Sequence, residues 1–238
     1  MMGQASFDLI VIGAGQAGPF LAAKLAHAGK KVALIEARQL GGTCVNRGCT
    51  PTKTLRKSAR VAYMARRAAE FGVDVGPVTV NFGVAMARMR KRITDARTGL
   101  EGWLGALPGL TIHYAHGQLA GRDGADFIVQ AGEHTLRAPQ VVLNTGTRSF
   151  MPPIPGLSTV PALDSEGLLA LDELPKKLVI IGGGYISLEM AQIFRRLGAE
   201  VSVIENNPRL TSREDLDVSA AITDLLLSEG IEVITGAK

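Results

Sequence analysis

Asp8-Leu9-Ile10-Val11-Ile12-Gly13-Ala14-Gly15-Gln16-Ala17-Gly18 is the stretch that decides the fold. A short apolar, β-branched run meets three glycines. The run reads as a buried strand and the glycines as a tight turn. Phe20 to Ala28 then has helical character and stops at Gly29, and Lys31 to Ala37 reads as a second strand. Strand, glycine turn, helix and strand within about 30 residues make a Rossmann unit. In such a unit Gly13 permits the turn, Gly15 lets the backbone approach a pyrophosphate, and Gly18 lets helix pack on strand. The helix N-terminus offers N–H groups and a positive dipole end to the phosphates. Glu36, ending the second strand, is placed to accept hydrogen bonds from a ribose.

The pattern returns at Leu178-Val179-Ile180-Ile181-Gly182-Gly183-Gly184-Tyr185-Ile186-Ser187. A helical stretch from Leu188 to Leu197 ends at Gly198, and Glu200 to Glu205 gives the next strand. Ser187 replaces the third glycine but is small enough for close packing. Two copies imply two dinucleotide sites. A carboxylate at Glu205 suits the free 2′-hydroxyl of NAD and repels the 2′-phosphate of NADP, with Arg209 nearby to soften the preference. NADH is therefore expected over NADPH.

Between the copies, Thr52 to Phe71 is basic and helix-like and stops at Gly72, and Asn81 to Leu104 is a second long helix. Thr111 to His116, Phe127 to Gln130 and Val141 to Asn144 read as short strands. Pro152, Pro153, Pro155 and Gly156 form a candidate linker. Leu216 to Leu227 reads as a helix and Ile231 to Ile234 as a strand. The expected class is α/β with two Rossmann-like domains, residues 1–150 and 151–238, the second incomplete.

Composition narrows the function classes. The chain has 238 residues, of which 46% are hydrophobic and 20% charged, as in a globular protein with a real core. A net charge of +4 is mild and suits anionic cofactors. The basic residues Arg56, Lys57, Arg60, Arg66, Arg67 and Arg88 to Arg92 lack interleaved aromatics for base stacking, so no nucleic-acid partner is expected. No apolar run approaches the ~18–20 residues of a membrane span. Met1 to Phe7 shows no basic leader or cleavage site, which makes a cytoplasmic protein the expectation.

Cys44 and Cys49, the only cysteines, lie in Gly41-Gly42-Thr43-Cys44-Val45-Asn46-Arg47-Gly48-Cys49-Thr50-Pro51-Thr52-Lys53. A metal site wants about four ligands, and no histidine lies near the pair, so no metal is expected. Inert buried thiols are a second reading, but the glycines, Asn46, Arg47 and Lys53 are poor company for an apolar core. A redox disulfide suits the flanks best, with Lys53 favouring the thiolate.

The run from Gly41 to Lys53 resembles the active site of the flavin-dependent pyridine nucleotide–disulfide oxidoreductases. That family includes dihydrolipoamide dehydrogenase, glutathione reductase and mercuric reductase. Thr145-Gly146 and Gly182 to Glu189 match in order and spacing, and the resemblance covers nearly the whole chain. It implies FAD on the first fingerprint (Gly13, Gly15, Gly18), with Glu36 on the adenosine ribose and Gly42-Thr43 beside the pyrophosphate. Gly117, Thr145 and Gly146 would also touch FAD. Cys49 would be the flavin-facing thiol and Cys44 the thiol that exchanges with substrate. Lys53 would lie near the reactive flavin nitrogen, paired with Glu189. Gly182, Gly183, Gly184, Ile186 and Glu205 would hold the nicotinamide cofactor, with Tyr185 covering its pocket. From residues alone, Glu189 reads rather as a solvated helix carboxylate, and Tyr185 reads equally as core packing.

The resemblance implies electrons passing from NADH through FAD to the Cys44–Cys49 disulfide, and on to a small-molecule disulfide or a metal-ion acceptor. Val45 to Lys53, Phe82 to Leu104 and Arg213-Glu214-Asp215 look most like the mercuric reductase group. Dihydrolipoamide dehydrogenase is the alternative, and glutathione reductase is disfavoured by Glu205. Family members run about twice this length and form homodimers through a C-terminal domain carrying a His–Glu pair. His27, His113, His116 and His134 fall outside such a motif. The expectation is an N-terminal part without the dimerisation domain, either catalytically incomplete or a flavin-binding fragment with no turnover.

Overall fold

The computed structural model describes residues 5–238; residues 1–4, part of the stretch read above as lacking a leader, lie outside it. In chain order the elements are β1 (Ala5–Ser6), β2 (Leu9–Ile12), α1 (Gly18–His27), β3 (Val32–Glu36), α2 (Gly42–Asn46), α3 (Cys49–Arg66), α4 (Phe82–Gly105), β4 (Leu110–Tyr114) and β5 (Gly117–Asp123). There follow β6 (Asp126–Ala131), β7 (His134–Ala138), β8 (Val141–Leu143), α5 (Ser165–Leu169), β9 (Lys177–Ile181), α6 (Tyr185–Leu197), β10 (Glu200–Ile204), α7 (Leu216–Ser228) and β11 (Glu232–Ile234). The class is α/β, as expected.

Two compact units form. The first takes in the described residues up to Pro51 together with Lys91–Asp164. Its main sheet is all parallel, in the order β4-β3-β2-β8. All four residues of β2 are buried, as in a parallel sheet covered on both faces. Side chains alternate along the strand. Ile10 and Ile12 join Phe7, Ala33 and Ile35 against Val129, Ala131, Leu136 and Ala138 of a second sheet, ordered β1-β7-β6-β5. Leu9 and Val11 face the other way, onto Ala22 and Ala23 of α1 and onto Leu104. Each fully buried Leu or Ile contributes about 1.5–3 kcal/mol, so this two-sided core holds the first glycine turn rigidly.

The second unit takes in Thr52–Arg90 and Ser165–Lys238. Its sheet is parallel in the order β11-β10-β9. Met190, Ala191, Ile193, Phe194 and Leu197 form the buried stripe of α6, at the three- and four-residue spacing of one helix face. Phe194 meets Phe82 with ring centroids 6.1 Å apart.

Several boundaries differ from the sequence reading. The basic helix starts at Cys49 and ends at Arg66, followed by a separate 3-10 turn, Ala68–Phe71, that stops at Gly72 with φ of 73°. α6 begins at Tyr185 and not at Leu188, because the extended Gly184 ends the turn and nothing after it breaks a helix. β5 and β7 were not anticipated: β5 is exposed along most of its length and carries two glycines, so its sequence lacks the alternation that marks a strand. Among the described residues no helix is long and apolar enough to cross a membrane.

Candidate functional site

The first glycine turn is a cradle built from backbone. Gly13 has φ of 103°, and a Cβ there would lie 2.2 Å from the Asn144 carbonyl oxygen. Its N–H donates to the Ile35 carbonyl at 2.7 Å, and the Gly13 carbonyl accepts from the Asn144 Nδ2 at 3.0 Å. Glu36 closes the cradle: one carboxylate oxygen accepts from the Ala14 N–H at 2.8 Å and the other from the Arg38 N–H at 2.7 Å. Pro19 at the start of α1 costs no hydrogen bond there.

The cysteine segment is fastened to this turn. The Gly41 N–H donates to the Ala14 carbonyl at 2.8 Å. Gly42 has φ of 57°, and a Cβ on it would lie 2.7 Å from the Gly15 Cα. No other residue fits so close an approach of two backbones. Thr43 is exposed and Cys44 half-buried, both in α2, whereas Cys49 is exposed as the first residue of α3. The positive end of the 18-residue helix dipole therefore lies at Cys49. Lys53 follows one turn later on the same helix face. Gly117 opens β5, where a Cβ would meet Ile12 Cγ2 at 2.8 Å, so packing of the sheets already requires glycine. Thr145 and Gly146 are exposed just after β8.

In the second unit the turn repeats the first. Gly182 has the same φ as Gly13, 103°. The Gly183 N–H donates to Glu205 at 2.5 Å, as Ala14 does to Glu36. Glu205 also accepts from the backbone N–H and the Nδ2 of Asn207, at 2.7 and 2.6 Å. Burial pushes this carboxyl upward, but the donors of Asn207, Gly183 and Asn206 outweigh it and hold Glu205 below the usual carboxylate range. Gly184 has open space where a Cβ would point. Tyr185 and Ile186 are exposed at the start of α6, Tyr185 by 75%, so core packing does not account for Tyr185. Arg209 donates to the Ser212 carbonyl. Lys53 and Glu189 meet at 2.6 Å. The pair is partly exposed and so worth about 0–1 kcal/mol in stability; what it does is aim the Lys53 ammonium.

Sequence reasoning missed three asparagines that build these turns: Asn46, Asn144 and Asn207. Only Asn46, inside the cysteine run, and Asn144, next to Thr145-Gly146, carried a hint. Among the described residues no group of three or more His, Cys, Asp or Glu side chains is arranged to hold a metal ion.

The sequence profile described as pyridine nucleotide-disulphide oxidoreductase matches residues 7–238. The chain belongs to this family. A dihydrolipoyl dehydrogenase from Chlamydia muridarum is 36% identical over 236 residues, which cover 98% of this chain and 50% of that protein. A mercuric reductase from Bacillus cereus is 32% identical over 235 residues, covering 99% and 37%. Among solved structures, the HOCl-induced flavoprotein disulfide reductase RclA from Escherichia coli aligns with a TM-score of 0.83 at 33% identity, covering 97% of this chain and 49% of its own. The chain spans about half the length of the first curated relatives it matches. Pyridine nucleotide-disulphide oxidoreductases carry FAD and take electrons from NAD(P)H. The side-chain-free cradle at Gly13 and Gly42, with Glu36 beside it, fits the pyrophosphate and ribose of such a dinucleotide.

Proposed function

We propose that this chain is the FAD- and nucleotide-binding part of an NAD(P)H oxidoreductase that reduces a small disulfide or a metal ion through Cys44 and Cys49. The observation that carries this reading is the fastening of the cysteine segment to a dinucleotide cradle through Gly41 and Gly42. When bound, FAD would supply hydride acceptance from the nicotinamide and two-electron delivery to the cysteine pair. The protein's own residues do the rest. Gly13, Gly15, Gly18, Gly42 and Thr43 hold the pyrophosphate, Glu36 the ribose, and Gly117, Thr145 and Gly146 the remainder of the dinucleotide. Cys49, at the positive end of α3, faces the flavin, and Cys44 exchanges with the acceptor. Lys53, aimed by Glu189, brings a positive charge to the flavin edge. Residues 1–150 are assigned to the FAD domain and 151–238 to the nicotinamide domain, where Gly182, Gly183, Gly184 and Ile186 bind the second dinucleotide and Tyr185 covers it. A cytoplasmic homodimer is the form proposed for the whole protein.

NADH is the proposed donor. Glu205 stays ionised beside the second turn, and a fixed negative charge there opposes a 2′-phosphate. The mercuric reductase relative and the Cu(II) complex of RclA support a metal-ion acceptor. Dihydrolipoamide oxidation is the second reading, supported by the 36% identity to a dihydrolipoyl dehydrogenase.

FAD titration of the purified chain, followed by flavin fluorescence, tests the cradle. With FAD bound, NADH-driven bleaching of the flavin is expected at a kcat/KM at least about tenfold above that with NADPH, a difference of ~1.4 kcal/mol. Turnover with Hg(II), Cu(II) and lipoamide then ranks the acceptors. A chain that takes up no FAD sinks the reading, and a preference for NADPH sinks the assignment of Glu205.

A further inference from the structure

Asn46 lies between the two cysteines as the last residue of α2. Its Nδ2 donates to the Leu40 carbonyl and to the Gly42 carbonyl, both at 2.9 Å. Those carbonyls bracket Gly41 and Gly42, whose φ values of 93° and 57° are both left-handed. Glycine loses more freedom on ordering than any other residue, so this double turn needs something to hold it. Turning the amide over would set its oxygen against two carbonyls, so the orientation is unambiguous. The Oδ1 is buried with no hydrogen-bond partner among the described residues. A buried acceptor left unmatched is costly, and here it accompanies two donor bonds made to a turn next to reactive sulfurs.

We propose that Asn46 is a positioning residue for the cysteine pair, setting how readily Cys44 and Cys49 close into a disulfide. The inference rests on the redox reading above. The clamp fixes the first turn of α2, and Cys44 rides on that turn, two residues from the clamp and five from Cys49. Holding one thiol in place raises its effective concentration at the other, which stabilises the disulfide and makes its reduction potential more negative. The equilibrium is with glutathione. The Cys44 and Cys49 thiols lose two electrons and two protons to glutathione disulfide, the Cys44–Cys49 S–S bond forms, the glutathione S–S bond breaks, and two molecules of glutathione are released.

The test is this equilibrium constant, measured by thiol trapping on the purified 238-residue chain over a range of glutathione ratios. Asn46→Ala and the isosteric Asn46→Asp, which lacks the donor, are expected to lower the constant about tenfold, equivalent to ~30 mV. The difference should vanish in 6 M guanidinium, where no clamp exists. Leu226→Ala, a buried change in α7 of the second unit, should leave the folded constant at its wild-type value. Folded variants within twofold of wild type would overturn the proposal. So would a difference that persists in denaturant, or an equal shift in Leu226→Ala. A wild-type chain that forms no disulfide at any ratio removes the redox reading itself, whereas a normal wild type with unshifted variants removes only the role of Asn46.

Discussion

Gly42 shows how much one missing side chain decides. Its φ of 57° and the 2.7 Å approach of a would-be Cβ to Gly15 leave no room for alanine. Gly42→Ala is expected to cost about 1–3 kcal/mol from backbone conformation alone, and to weaken FAD uptake as the cysteine segment lifts off the turn. Urea denaturation and flavin titration read the two effects. The places of the glycines, Glu36 and Glu205 in the fold were legible in the sequence because they follow from spacing along a strand and turn. Asn46, Asn144 and Asn207 were not. A short amide in a loop has many possible partners, and only the tertiary fold chooses between them.

At the scale of elements, α6 and α7 are joined by a buried ion pair. Arg196 and Glu229 meet at 2.5 Å with side chains 10% and 4% exposed, and Gln192 and Arg195 add hydrogen bonds to Glu229. Removing one partner strands a charge away from water. Arg196→Met is expected to cost about 3–5 kcal/mol, and Arg196→Met combined with Glu229→Leu to recover most of it. Chemical denaturation of the two variants gives the comparison. The long helices α3, α4, α6 and α7 were legible because their apolar spacing and glycine stops are strong local signals. α2, β5 and β7 were not, since five helical residues or an exposed, glycine-bearing strand persist only through what they pair with.

For the whole molecule, acid should act in two stages. Burial, with His134 beside it, pulls His113 below its ordinary value of 6.5; Phe7 packs edge-on to the same ring. The unfolded chain then binds a proton at this site more readily than the folded one, so stability falls as the pH drops below 6.5. Glu205 is held below its ordinary 4.5. Its contribution is present above that value and is lost as the pH falls through the folded pKa. Denaturation midpoints between pH 3 and 8 should show both stages, with His113→Phe removing the first and Glu205→Gln the second. The fold of the whole was legible because the strand–turn–helix unit occurs twice. The grouping of residues 52–90 with 165–238 was not, because it depends on packing between distant segments such as Phe82 and Phe194.

The carboxylate bonds closing the two glycine turns also serve as gauges. The Ala14 and Gly183 amides each donate to an acid at the end of the neighbouring strand, a charge-assisted bond stronger than a neutral one. Such amides exchange with deuterium only when their own sheet opens. Their two exchange rates should report the opening of each half of the chain separately, one gauge per dinucleotide cradle.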